Sequence, residues 1–354
     1  MRVGGRCNGH RHSIAPARRP AARRAWCVAR LVALTSAHHA GVGSPVVQPH
    51  HLGIEAGYIR TSDGVRLYYE RVGHGPVVIA PFRLYLFDRF KQLADSYTVI
   101  SYDMRDRGLS DPVSDTTRLT IQDDVRDLET VRAHFQVAKF SAIGWSYLGL
   151  MVVLYAIDHP DRVERIVQLG PVPPRFDARY PRELTAGDED SVPDPAGVAR
   201  LEQLRRHGYD HRHPQAYCVQ EWTVLRFQLV GNPANVDRLG AGPCAIRNEW
   251  PVNLERHFKH SIASVARLRI SSAQLAKVTV PVLTIHGTKD RNAPYGSGRE
   301  WATVLPEARL LTIHGAAHAE FVEHPEIVFP AVRAFLAGGW PVQAERITRA
   351  LQRD

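Results

Sequence analysis

A serine, an aspartate and a histidine stand far apart in this chain, each in a setting that would let it take part in acyl transfer. Ser146 lies in Ile143-Gly144-Trp145-Ser146-Tyr147-Leu148-Gly149, after one apolar run and at the head of another. A sharp strand-to-helix turn of this kind pushes a hydroxyl out above a sheet, and the helix N-terminus aims free N–H groups at the reaction centre. A serine hydroxyl is a weak nucleophile without a base, so the reading demands a histidine and an acid to orient it. Asp290 follows the run 278–287 in "GTKDRNAP", and His318 follows the run 308–313 in "HGAAHAEF". The order Ser, acid, His and the placement of both partners just past strands agree with a Ser146–His318–Asp290 triad. His314 competes with His318 but falls where the strand closes, and His324 precedes Pro325 as at a helix entrance. The segment after 163–170, "LGPVPPR", offers no rival acid. Serine is commonplace at a helix N-cap, so the two partner loops carry the assignment.

The elements that would position these groups are legible in the hydrophobic patterning. Residues 57–73 alternate around Asp63-Gly64 and predict a β-hairpin. The short continuous apolar runs 76–81, 97–103, 140–145 and 163–170 predict strands buried on both faces. Between them, 84–95, 119–137 and 147–158 carry helical spacing. Strands that alternate with helices argue for a parallel sheet built from crossover units. The alternation stops over 172–272, where prolines, the acidic turn Gly187-Asp188-Glu189-Asp190 and helical stretches at 197–207 and 215–229 replace it. It resumes with strands at 278–287 and 308–315 and helices near 297–304 and 325–337. The chain thus divides into a tail, 1–50, a core formed by 51–171 and 273–340, a helical insertion, 172–272, and a last helix within 341–354.

Composition narrows the function. Of 45 Lys and Arg residues, eight arginines lie in residues 1–50, which contain no Asp or Glu. Eight of the nine net positive charges therefore belong to the tail, and the body, at +1, is nearly neutral, leaving no basic surplus for a nucleic-acid-binding face. The tail suits a disordered or targeting segment. The reading places the protein in the cytoplasm, or exported if the Arg-rich N-terminus is a signal. No apolar stretch reaches the ~20 residues that span a bilayer. The four cysteines show no metal-ligand spacing, so no metal or cofactor is expected; Cys218 and Cys244 would pair in an exported protein, with a reduced, buried role as the default.

Beyond the serine turn, "YDMRDRGLSD" (102–111) resembles the Asp-x-x-Gly-x-Gly-x-Ser segment of the α/β-hydrolase superfamily, with Asp106 departing at one small-residue position. "VPVLTIHGTKD" and "GAAHAEFVEHP" resemble its acid and histidine segments. Residues 57–337 are similar to that superfamily throughout. The resemblance implies an α/β-hydrolase fold, a mostly parallel central sheet with helices on both faces and a helical cap over 172–272. It also implies a serine hydrolase acting on a small molecule without a cofactor. In the same family pattern the backbone N–H of Tyr147 is one oxyanion donor. The family's His-Gly-x segment is Pro81-Phe82-Arg83 here, which puts Arg83 at the second donor position and Phe82 beside it. Leu148 stands where the family has a small residue, which implies a wider helix–strand gap or a compensating small residue opposite it, with Gly149 supplying part of the relief. "RNEWPVN" (247–253) is similar to proline-iminopeptidase-like and esterase branches. Glu249 would then bind a substrate ammonium, or else pair with an arginine of the insertion. Phe82 and Trp145 are candidate pocket walls. Three readings follow: a carboxylic ester hydrolase, an aminopeptidase that depends on Glu249, and a non-catalytic binding protein suggested by Leu148 and the missing His-Gly.

Overall fold

The computed structural model describes residues 53–185 and 194–348, all within one compact unit, His51–Asp354. The expected tail, 1–50, and the acidic turn, 187–190, lie outside the described residues. The chain opens with β1 (Glu55–Arg60), β2 (Arg66–Val72), β3 (Val77–Pro81), α1 (Arg83–Phe90), β4 (Thr98–Tyr102) and α2 (Ile121–His134). It continues with β5 (Phe140–Trp145), α3 (Tyr147–Asp158) and β6 (Val163–Leu169). Four helices then precede the next strand: α4 (Pro195–Arg206), α5 (Tyr209–Arg212), α6 (Pro214–Leu225) and α7 (Pro251–Arg267), with a short α8 (Ser272–Leu275) behind them. The chain returns to the sheet with β7 (Val282–Gly287), α9 (Tyr295–Val304), β8 (Ala308–Ile313), α10 (Glu320–Glu323) and α11 (Pro325–Leu336).

The eight strands form one sheet in the order β1-β2-β4-β3-β5-β6-β7-β8. β1, β2 and β4 pair antiparallel, and every later pairing is parallel. Every residue of β4, β5 and β7 is buried, which is why these segments read as continuous apolar runs rather than as alternation. The strand order reverses between β3 and β5, so the crevice beyond their carboxyl ends is where a doubly wound sheet places a ligand. Ser146 follows β5, and Phe82 and Arg83 follow β3. Asp290 and His318 follow β7 and β8 at the same edge.

Two expectations need correction. The described part of the predicted C-terminal helix, residues 341–348, is not helical. Instead Glu345 exchanges backbone hydrogen bonds with Leu310 of β8, both at 2.8 Å, and Ile347 packs near Tyr295, Ala302 and Leu310. An open strand edge offers unpaired N–H and C=O groups, and covering it outweighs the segment's charged, helix-prone composition. Cys218 and Cys244 are not reduced: α6 and the turn that precedes α7 bring their Cα atoms to 5.6 Å, and a disulfide joins them.

Candidate active site

The serine turn is built by close approach. Ser146 holds φ 59° and ψ −128°, a conformation that costs about 1–3 kcal/mol for a residue with a side chain and persists only when its surroundings impose it. Its N–H donates to the Leu169 carbonyl of β6 at 2.9 Å, and α3 begins at the next residue. A Cβ on Gly144 would collide with the Leu148 carbonyl, and one on Gly149 would come within 2.9 Å of Pro171 Cβ. The helix therefore sits close at both glycines. Leu148 directs its side chain into the core, fully buried, and the wider gap expected from it does not arise.

Asp290 and His318 meet behind this turn. His318 Nδ1 lies 2.7 Å from Asp290 Oδ2, and both side chains are almost wholly buried. Asp290 Oδ1 accepts from the N–H groups of Asn292 (2.8 Å) and Ala293 (2.9 Å), which sets its orientation. A second histidine, His286, places Nε2 3.3 Å from the same Oδ2. Burial alone would raise the Asp290 carboxyl, but His318 and His286 hold it well below the usual carboxylate range. The Trp145 indole N–H donates to the His318 carbonyl at 2.8 Å, and its ring lies 5.1 Å from the imidazole. Among the described residues no hydrogen bond joins Ser146 to His318, a contact that in free enzymes is often long. His314 is exposed, in a separate surface cleft with Lys289 and His324.

Two backbone N–H groups stand at the heads of the helices that follow β3 and β5. Phe82 adopts a left-handed conformation, φ 81°, and its own N–H is committed to the Tyr102 carbonyl at 2.8 Å, so Phe82 is not a donor. The N–H groups of Arg83 and Tyr147 open α1 and α3, and neither has a hydrogen-bond partner among the described residues. The Arg83 guanidinium turns away to Asp103 (3.0 Å) and Glu70 (3.1 Å).

A cavity of about 460 Å³ opens over these groups, lined by Ser146, His318, Tyr147, Phe82, Trp145 and Glu249 among others. The insertion supplies most of its apolar wall through Trp222, Leu225, Leu229, Leu254, Phe258 and Ile262. Glu249 is an ion-pair partner, though for an arginine of the core rather than of the insertion. Its Oε1 accepts from Arg107 Nε and from the Gly108 N–H, each at 2.9 Å, and its Oε2 accepts from Arg107 Nη2 at 2.8 Å. Burial pushes the Glu249 carboxyl up, and Arg107 opposes that push. Sequence reasoning did not assign Arg107, Tyr85, Glu221 or His286 to the site. Arg107 sits inside the quoted "YDMRDRGLSD" and His286 inside "LTIHG", but their partners are distant in sequence. Glu221, 3.1 Å from Arg205, faces the cavity from α6. Burial raises its carboxyl to about 7, with Arg205 opposing and Glu255 and Asp210 adding to the shift.

Residues 84–325 match the family model of the alpha/beta hydrolase fold. The chain belongs to that family. It is therefore a hydrolase of this fold, with relatives named both as esterases and as peptidases. It is 26% identical over 276 residues to a pimeloyl-[acyl-carrier protein] methyl ester esterase of Chromobacterium violaceum, covering 74% of this chain and 94% of that one. A proline iminopeptidase of Arabidopsis thaliana is 28% identical over 300 residues, 75% of each chain. The chain also matches polyketide synthase ThaQ of Burkholderia thailandensis at 26% identity, spanning 77% of itself but 12% of that protein. Among solved structures, an esterase (EaEST) of Exiguobacterium antarcticum superposes with a TM-score of 0.59 at 19% identity, over 80% of this chain and 100% of that one. Among the described residues no helix is long and apolar enough to cross a membrane, and no cluster of His, Cys, Asp and Glu could hold a metal ion.

Proposed function

We propose that the protein is a serine esterase that cleaves a carboxylic ester of a small, largely apolar substrate through an acyl-enzyme. The observation that carries the reading is the buried 2.7 Å contact of His318 Nδ1 with Asp290 Oδ2, placed behind a cavity that also contains the strained Ser146. In this reading His318, with its Nδ1–H held by Asp290, takes the Ser146 proton through Nε2 as Ser146 Oγ attacks the ester carbonyl. The N–H groups of Tyr147 and Arg83 receive the oxyanion, each contributing about 3 kcal/mol to the transition state. His318 returns the proton to the departing alkoxide. Water, deprotonated in turn by His318, then releases the carboxylic acid and restores Ser146. The helices over 172–272 act as a cap that shapes the pocket and excludes water.

The aminopeptidase reading loses its named support, because both Glu249 oxygens are already taken by Arg107 and Gly108. The binding-protein reading loses one of its two, because Leu148 leaves the serine turn tightly packed. The disulfide favours export over the cytoplasm, where thiols are kept reduced. The test is labelling by a fluorophosphonate probe together with hydrolysis of p-nitrophenyl butyrate and of an N-terminal proline amide. Labelling and ester turnover that vanish in Ser146→Ala support the esterase; an unlabelled wild-type protein would sink it, and amide turnover above ester turnover would restore the peptidase.

A further inference from the structure

We propose that Glu323 is a positioning residue for the hydrolysis: its buried carboxylate fastens the loop that carries His318 to residues 229–235 of the insertion, so that the base and the cavity wall at Leu229 are held as one unit. The inference rests on the esterase reading and adds a residue to its machinery.

Glu323 closes α10, the short helix that follows His318, and is almost wholly buried. Its Oε2 accepts from the Ala317 N–H at 2.7 Å and from the Gly231 N–H at 2.9 Å. Its Oε1 accepts from the Asn232 N–H at 3.1 Å and from Asn235 Nδ2 at 3.2 Å. Ala317 immediately precedes His318, whereas the other three donors belong to the insertion. Two more bonds run alongside, from the Ala319 N–H to the Leu229 carbonyl and from Arg238 Nη1 to the Glu323 carbonyl, both at 2.9 Å. The two backbones also touch, since a Cβ on Gly231 would collide with the Gly315 carbonyl oxygen. Leu229 lines the same cavity as Ser146 and His318.

The chemistry explains why a carboxylate stands here. A buried carboxylate costs free energy unless its lone pairs are taken, and two oxygens that each accept twice match the four donors. A glutamine offers one such oxygen and turns its amide N–H groups onto two other N–H groups. It must therefore release either the pair at Ala317 and Gly231 or the pair at Asn232 and Asn235. Elsewhere His318 is held by Trp145 Nε1, which donates to its carbonyl, and by Asp290, which meets its ring. The Ala317 bond secures the main chain on the other side of His318. Misplacing a base by about 1 Å costs up to about 100-fold in rate.

The test is steady-state hydrolysis of p-nitrophenyl butyrate and the rate of fluorophosphonate labelling, in protein that circular dichroism shows to be fully folded at the assay temperature. Glu323→Gln should lower kcat about 10- to 100-fold, slow labelling in parallel and leave KM within about 3-fold of wild type. A residue that only supports the fold would leave kcat unchanged in the folded variant. Asn235→Ala removes one donor on the insertion side and leaves Ala317 bonded; because the two sides act as one unit, it should still lower kcat about 2- to 5-fold. Should Glu323→Gln fail to fold, Glu323→Asp, shorter by one methylene with both oxygens kept, carries the comparison, and its kcat must fall by more than about 3-fold. A kcat within about 3-fold of wild type in the folded Glu323 variant, a loss expressed in KM alone, or a wild-type kcat in Asn235→Ala overturns the proposal and leaves the esterase standing. Wild-type protein that neither hydrolyses the ester nor takes the label overturns the esterase reading itself.

Discussion

Glu249→Ala should be among the most destabilising single substitutions in this protein, and its magnitude can be worked from the contacts. The change deletes the acceptors of Arg107 Nε and Nη2 and of the Gly108 N–H, and it leaves a guanidinium with about 1% exposure uncompensated. Stranding one partner of a buried ion pair costs about 3–5 kcal/mol. Arg107→Met/Glu249→Gln removes both charges and keeps a carbonyl oxygen for the Gly108 N–H, so it should cost no more than about 2 kcal/mol despite changing two residues. Urea denaturation followed by circular dichroism at pH 7 gives both values. The same experiment separates a structural pair from a substrate-binding carboxylate, which would be held for function at little stability. A loss below about 1 kcal/mol in Glu249→Ala, or a double variant worse than the single one, refutes the reasoning.

Three other outcomes can be checked directly. Gly170 has φ 46°, and a Cβ there would lie 2.9 Å from Asp290 Oδ2 and 3.1 Å from His318 Nδ1, so Gly170→Ala should lower kcat on p-nitrophenyl butyrate about 10- to 100-fold by displacing that pair. The Glu221 carboxyl, raised to about 7 in the folded protein from its ordinary 4.5, keeps its proton longer folded than unfolded. Its contribution to stability is whole below pH 4.5 and is lost as pH climbs through 7. Glu221→Gln should therefore match wild type near pH 4 and exceed it by up to about 3 kcal/mol above pH 8, seen as a urea-midpoint difference that grows with pH. Reduction of Cys218–Cys244, which closes a loop with a separation of 26 residues, should destabilise the region around α6 by about 3 kcal/mol. Hydrogen exchange with and without reductant would show faster exchange in α6 and unchanged exchange in β5 and β7.

Much of the fold was legible because strand and helix periods are local. Runs such as 140–145 and 278–287 alternate with amphipathic segments, and that pattern alone calls for a parallel sheet with crossovers. The C-terminal segment departs from its local pattern for the complementary reason: its composition favours a helix, and only the open edge of β8 makes pairing at Glu345 preferable. Nothing in the sequence pairs Cys218 with Cys244, because a separation of 26 residues says nothing of a 5.6 Å approach.

The sequence by itself determined which residues are candidates for the chemistry, because Ser146, Asp290 and His318 each follow a strand and a parallel sheet brings strand ends to one edge. That a residue without a Cβ must stand at Gly144, where the helix turns back on the strand, is a finding of the tertiary structure. Tertiary structure decided what surrounds them. It committed the Phe82 N–H to Tyr102 and left that of Arg83 free, set His286 beside Asp290, and bound Glu249 to Arg107 across 142 residues of chain. The physical reason is one of range: periodicity and turns act over a few residues, whereas a buried charge takes whichever partner the folded chain brings within about 3 Å.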